Sequence, residues 1–161
     1  MGPRRLFWIW AVFATLTVAL PLRAEEVMPS PALSPQQVVK FQLDSLRQND
    51  EPAPNTGIER SFRFASPSNK EVTGPLEHFA ELVRSPAYAP LLYSLGADLT
   101  QAEVSDDQAR IFVRVTSASG SVLSYMFLLS RQKEGEYRDC WMTDGVIRMQ
   151  DQEGAPKPVT I

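Results

Sequence analysis

A chain of 161 residues with 43% hydrophobic and 22% charged side chains has the make-up of one globular domain, which excludes disordered, collagen-like and long solenoid chains. A single cysteine rules out an intramolecular disulfide framework, and one cysteine with one histidine does not make a Cys/His zinc site. The formal charge of −3, with no basic cluster in the domain, argues against nucleic acid and anionic membrane surfaces as partners.

The N-terminus differs from the rest. Arg4 and Arg5 precede a charge-free run of 15 residues, Leu6 to Leu20, which Pro21-Leu22-Arg23-Ala24 breaks. That order predicts a secretory signal peptide over residues 1–24 and a periplasmic or secreted protein. As a helix the run would span about 22 Å, short of a hydrocarbon core of about 30 Å. The alternative is an uncleaved inner-membrane anchor through residues 6–20, because Leu22 stands at the −3 position that favours alanine. Cleavage after Ala24 removes three arginines and no acid, leaving 13 basic against 19 acidic residues and a formal charge of −6.

Residues 25–33 (EEVMPSPAL) read as a flexible lead-in and residues 150–161 as a flexible tail, so the folded domain covers about 34–149. Ser34 can cap a helix, Pro35 suits its first position and Gln37 can close a capping box. The spacing of Val39, Leu43 and Leu46 carries that helix over 35–48, and Asn49 to Pro52 stops it. Ile58, Phe62 and Ala65 repeat the spacing and predict a second short helix over 57–65. Ser66-Pro67 opens a turn or one-turn helix through Lys70. Gly74-Pro75 begins the clearest helix, with Leu76, Phe79, Ala80 and Val83 on one face and Ser85-Pro86 at its end.

The period then changes. A strand is expected over 95–104. Residues 109–116 alternate, with Ile111, Val113 and Val115 on one side and Arg110, Phe112 and Arg114 on the other. After the turn at Ser117–Gly120, residues 121–131 form a more buried strand, and Glu134-Gly135 turns into a last strand over 136–148. N-terminal helices packed on an antiparallel four-stranded sheet define an α+β domain.

No Gly-rich phosphate loop, nucleophile elbow, H-E-x-x-H helix or acidic metal loop occurs, so neither a metal site nor a cofactor is expected. His78 falls about 200° around its helix from Leu76 and should face solvent. Cys140, beside Trp141 and Met142, reads as a small buried hydrophobe, and neighbouring Asp139 opposes its ionisation; an intermolecular disulfide is the alternative. Tyr125, Phe127 and Trp141 are expected in the core or lining a pocket. Arg131, at a strand end, fits an anion contact or a surface ion pair. Asp139 and Asp144 sit on or beside the last strand, where a buried carboxylate could serve as acid or base; Asp144 before Gly145 equally suits a turn or bulge. Arg110, Phe112 and Arg114 form an outward row suited to a homodimer interface.

Several segments look familiar together. Ser34-Pro35 with Val38-Val39 and Gln42-Leu43, then Gln48-Asn49-Asp50, Phe64-Ala65-Ser66-Pro67, Asn69, Thr73-Gly74-Pro75, Tyr88 with Pro90-Leu91-Leu92, Ser130-Arg131-Gln132 and Cys140 to Val146 resemble the signature segments of a bacterial family, domain-of-unknown-function family 4864. The resemblance covers nearly all of 34–147. Helices followed by a curved antiparallel sheet also resemble the nuclear-transport-factor-2-like (cystatin-like) cone, which implies a pocket between the concave face and the helices. That superfold hosts isomerases, dehydratases, hydrolases and non-catalytic domains, so it names no activity. The leading expectation is an exported, non-catalytic envelope domain, dimeric, that binds a small apolar or amphipathic ligand or a protein partner. Its expected ligand-binding residues are Tyr125, Arg131, Trp141 and Asp144. The alternative is a cofactor-free isomerase- or hydrolase-type enzyme, with Asp144 or Asp139 as acid/base and Tyr125 or Arg131 polarising the substrate.

Overall fold

The computed structural model describes residues 26–150. The expected signal peptide, and all of the expected tail except Gln150, lie outside them. Helix α1 (Pro35–Arg47) starts as its sequence demands. The Ser34 hydroxyl accepts a hydrogen bond from the Gln37 amide at 3.2 Å, and the Gln37 side chain accepts one from the Ser34 amide at 2.8 Å. One face of α1 buries Val38, Val39, Gln42, Leu43 and Leu46. The segment before it lies against the domain: Glu26 pairs with Arg63, and Leu33 packs on the core.

Helix α2 (Thr56–Arg63) crosses α1 at backbone contact. A Cβ on Gly57 would stand 2.0 Å from the Ser45 carbonyl oxygen, so only glycine admits this approach. Helix α3 (Pro67–Thr73) is capped by Ser66 and runs past the expected stop at Lys70. It ends at Gly74, whose φ of 74° other residues rarely adopt. Helix α4 (Leu76–Val83) follows, with His78 exposed, and a 3₁₀ turn at Ala89–Leu91 leads into the sheet.

Strands β1 (Gly96–Val104), β2 (Gln108–Thr116), β3 (Val122–Arg131) and β4 (Trp141–Arg148) form an open antiparallel meander in the order 1-2-3-4. With the four helices packed on it, the domain is α+β, as expected. Strand β4 starts five residues later than the expected 136, because Glu136–Asp139 are taken up in turns. The Cys140 amide closes onto the Tyr137 carbonyl at 2.9 Å, and Asp139 has a φ of 65°.

The alternation in β2 and β3 sorts their side chains cleanly. Ile111, Val113, Val115, Tyr125, Phe127 and Leu129 are each at most 2% exposed and pack under the helices. Each such burial is worth about 1.5–3 kcal/mol. Arg110 and Arg114 face outward, with half-buried Phe112 between them.

Strand β4 carries a bulge. Leu128 pairs with Gly145 and Leu129 with Thr143, which leaves Asp144 unpaired between them. The extra residue lets Thr143 and Val146 both stand opposite inward-facing residues of β3, namely Leu129 and Phe127. Thr143 also joins sheet to helices: its amide donates to the Phe64 carbonyl at 2.8 Å, and its carbonyl accepts from the Ser66 amide at 2.9 Å.

Candidate functional site

A cavity of about 280 Å³ lies between the helical layer and the inner face of the sheet, beside the β4 bulge. Leu46, Phe79, Val83, Leu91, Phe127 and Val146 supply its apolar wall. Gln42, Ser61, Asn69, Tyr88 and Thr143 supply its polar part.

The polar groups hold one another in place. The Gln42 amide donates to the Ser61 carbonyl at 3.0 Å, and the Thr143 hydroxyl donates to the Gln42 side-chain oxygen at 2.7 Å. Asn69 donates to the Thr143 carbonyl at 2.9 Å, and the Tyr88 hydroxyl donates to the Val146 carbonyl at 2.9 Å. No buried side-chain nitrogen or oxygen among the described residues lacks a partner. The Ser61 hydroxyl and the Asn69 side-chain oxygen take no part in this network. Bonds already made set these groups before any ligand arrives, which lowers the ordering cost of binding.

Size and charge restrict what the cavity could hold. An apolar cavity of about 150 Å³ is enough to hold benzene, so this one accommodates a single substituted ring or a short branched chain. It lies just below the range of about 300–1,000 Å³ usual for ligand pockets. Asp144 is the only charged residue among the described lining residues. It is exposed, and its carboxylate accepts a hydrogen bond from Ser130 on the neighbouring strand at 3.0 Å. An ionic guest would shed its hydration with no buried counter-charge to replace it. The cavity therefore suits a neutral molecule.

A larger groove of about 520 Å³ runs along the β1–β2 hairpin end, past Glu103, Arg110 and Leu128. It lies on the open sheet and is crossed by the Glu103–Arg110 ion pair at 3.5 Å. It would cover a small ligand far less completely than the cavity under the helices.

Of the four residues expected to bind ligand, only Asp144 lines the cavity. Trp141 packs into the core at 9% exposure. Tyr125 is fully buried and donates its hydroxyl to the Ala87 carbonyl at 2.9 Å; burial pushes its phenol pKa up. Arg131 sits at the exposed end of β3, where its Nε donates to the Asp139 carbonyl at 3.2 Å. Asp139 itself is in the turn before β4. Cys140 is buried, and its thiol pKa is raised by burial and by Asp139, which keeps it protonated.

Gln42, Ser61, Asn69, Tyr88 and Thr143 were not among the expected site residues. One signal did point to Gln42. It lies four residues after Val38 and four before Leu46, on the face of α1 that buries apolar side chains, where a polar residue is unusual and must be hydrogen-bonded.

Comparison with known families settles the relationship. The model of a domain of unknown function, DUF4864, matches residues 32–155. The chain belongs to the DUF4864 family. Its match takes in every described element and all the cavity-lining residues. No curated protein and no solved structure matches the chain. The nuclear-transport-factor-2-like resemblance rests on the order of elements alone.

Proposed function

We propose that this DUF4864 domain is a non-catalytic binding module, exported to the envelope by residues 1–24, that holds one small neutral molecule between its helices and its sheet. The observation that carries the reading is the cavity itself: apolar walls, a polar part fixed by internal hydrogen bonds, and no buried charge. A ring or short branched chain bearing one or two hydrogen-bonding groups fits both its volume and its chemistry. The acid/base alternative finds less support. Asp144 directs its carboxylate to Ser130, and Asp139 does not line the cavity.

The location rests on the sequence of residues 1–24. No helix among the described residues is long and apolar enough to cross a membrane.

Native mass spectrometry of the protein taken from the envelope without refolding tests the proposal. The expected spectrum has a species beginning at Glu25 and carrying one neutral adduct. Leu82 lines the cavity and is 37% exposed, so Leu82→Trp should fill the space without unfolding the domain, and the adduct should disappear. An adduct that survives in Leu82→Trp, or one of ionic character, would place the ligand elsewhere and overturn the reading.

A further inference from the structure

The outer face of the sheet, turned away from the helices, carries an apolar row. Phe112 stands opposite Met126, and Met126 opposite Ile147, so β2, β3 and β4 each contribute one side chain. Ile147 is 44% exposed, and the other two are half-buried. Aromatic residues, methionine and arginine are side chains that protein interfaces favour.

Two residues along, a second row crosses the same three strands. Arg110 stands opposite Leu128, and Leu128 opposite Gly145, beside which the bulge places Asp144. Arg110, Leu128 and Asp144 line one groove, so they share the outer face. Arg110 and Asp144 are both exposed. They lie on either side of β3, two strand spacings or about 10 Å apart. Among the described residues no ion pair joins them. The row thus runs positive, apolar, negative across the sheet.

That order is self-complementary. Two copies packed outer face to outer face about a two-fold axis along β3 keep each residue at its own level and lay β2 over the partner's β4. Arg110 then meets the partner's Asp144, Phe112 meets the partner's Ile147, and Met126 meets the partner's Met126. Other axes bring like charges together, which disfavours association. An axis along β2 sets Arg110 against the partner's Arg110, and one along β4 sets Asp144 against the partner's Asp144. An axis across the strands at the apolar row sets Arg110 against the partner's Arg114. Arg110 also reaches Glu103 on β1 at 3.5 Å, but about the β3 axis β1 lies beyond the partner's β4 and faces no strand.

We propose that two copies of this chain form a dimer through the outer faces of their sheets, about a two-fold axis along β3. The same patch serves both copies, so the assembly closes at two. Strands of 8–10 residues make the shared face about 30 Å long, and three strands make it about 15 Å wide. That size is near the lower limit of specific interfaces, so the dimer dissociates on dilution. The assignment does not depend on what the cavity holds.

Sedimentation equilibrium of the exported protein, from about 5 to about 500 μM, tests the proposal. The mass should climb from monomer to dimer and no further. Arg110→Asp and Asp144→Arg each set like charges face to face, and each should weaken the dimer about tenfold or more. Joining the two substitutions exchanges the charges and should restore the dimer to within about threefold of the original. A monomer at every concentration would overturn the proposal. So would a dimer indifferent to the single substitutions, or one that both weaken and the exchange does not restore. Should the exchanged chain unfold, Met126→Cys gives the decisive measurement. With the sheets about 10 Å apart, a short bismaleimide should join Cys side chains at this position across the axis, while buried Cys140 does not react. No joined product would equally overturn the proposal.

Discussion

The two faces of the sheet are built from the same strands by the same alternation, yet they do different work. On the inner face, Phe127 is 2% exposed under four helices, and its neighbours Ile111, Val113 and Tyr125 are as deeply buried. On the outer face, one residue along in each strand, Phe112 and Met126 are half-buried, and arginines flank Phe112. The inner apolar surface is consumed by folding, apart from the cavity beside the β4 bulge. The outer surface contributes little to the core. Apolar character alone does not distinguish them. What does is the helical layer, and the ties that fasten it to one side.

Substitutions that sever those ties, or that compare the faces directly, should follow a graded series in urea unfolding. Phe127→Ala removes a buried ring and should cost about 3–5 kcal/mol, whereas Phe112→Ala should cost about 1 kcal/mol or less. Equal losses would mean that the outer face is as much a core as the inner one. Gly57→Ala drives a methyl group into the α1 backbone and should cost about 3 kcal/mol, by forcing α2 away from α1. Gln42→Ala strands the Thr143 hydroxyl in a buried site and leaves the Ser61 carbonyl with the Phe64 amide alone, at about 1–3 kcal/mol. Adding Thr143→Val should recover part of that loss, because one orphaned group is then gone. A strictly additive double mutant would contradict a direct bond between α1 and β4.

The smallest effect concerns the loop after α1. The Tyr93 hydroxyl donates to Asp50 at 2.7 Å, and the Asn55 amide donates to the same carboxylate at 2.9 Å. These bonds hold the Asp50 pKa below its ordinary value, Tyr93 contributing most. A carboxylate lowered in the folded state adds stability above its unfolded pKa and loses it as pH falls through the folded one. Stability should therefore decline below about pH 4, where carboxylates begin to protonate. Tyr93→Phe should flatten that decline and leave stability at neutral pH little changed. An unchanged acid limb in Tyr93→Phe would show that this contact does not set it.

Much of the fold is legible along the chain because its signals are local. Ser34, Pro35 and Gln37 specify the start of α1 within four residues, and the alternation from Ile111 to Val115 specifies β2 and its two faces. The boundaries that shift depend on backbone detail: α3 continues to Gly74, and β4 waits until the turns through Asp139 are complete. The cavity is far less legible. Thr143 meets Gln42 from 101 residues away, through a bulge that inserts Asp144 between paired positions. No spacing rule joins Gln42, Asn69, Tyr88 and Thr143, since each belongs to a different element. Aromatic and charged residues of the strands attract attention in the sequence, yet Trp141 and Tyr125 fill the core, while small neutral polar residues furnish the site.

The most direct test is to titrate the protein with indole, a neutral ring carrying one N–H donor, while following its backbone amides by NMR. Val83, Phe127 and Thr143 should shift together and saturate, with a Kd of about 1 mM or tighter, while Phe112 and Met126 on the outer face do not move. Shifts confined to the outer face, or none that saturate around Thr143, would contradict a ligand cavity under the helices.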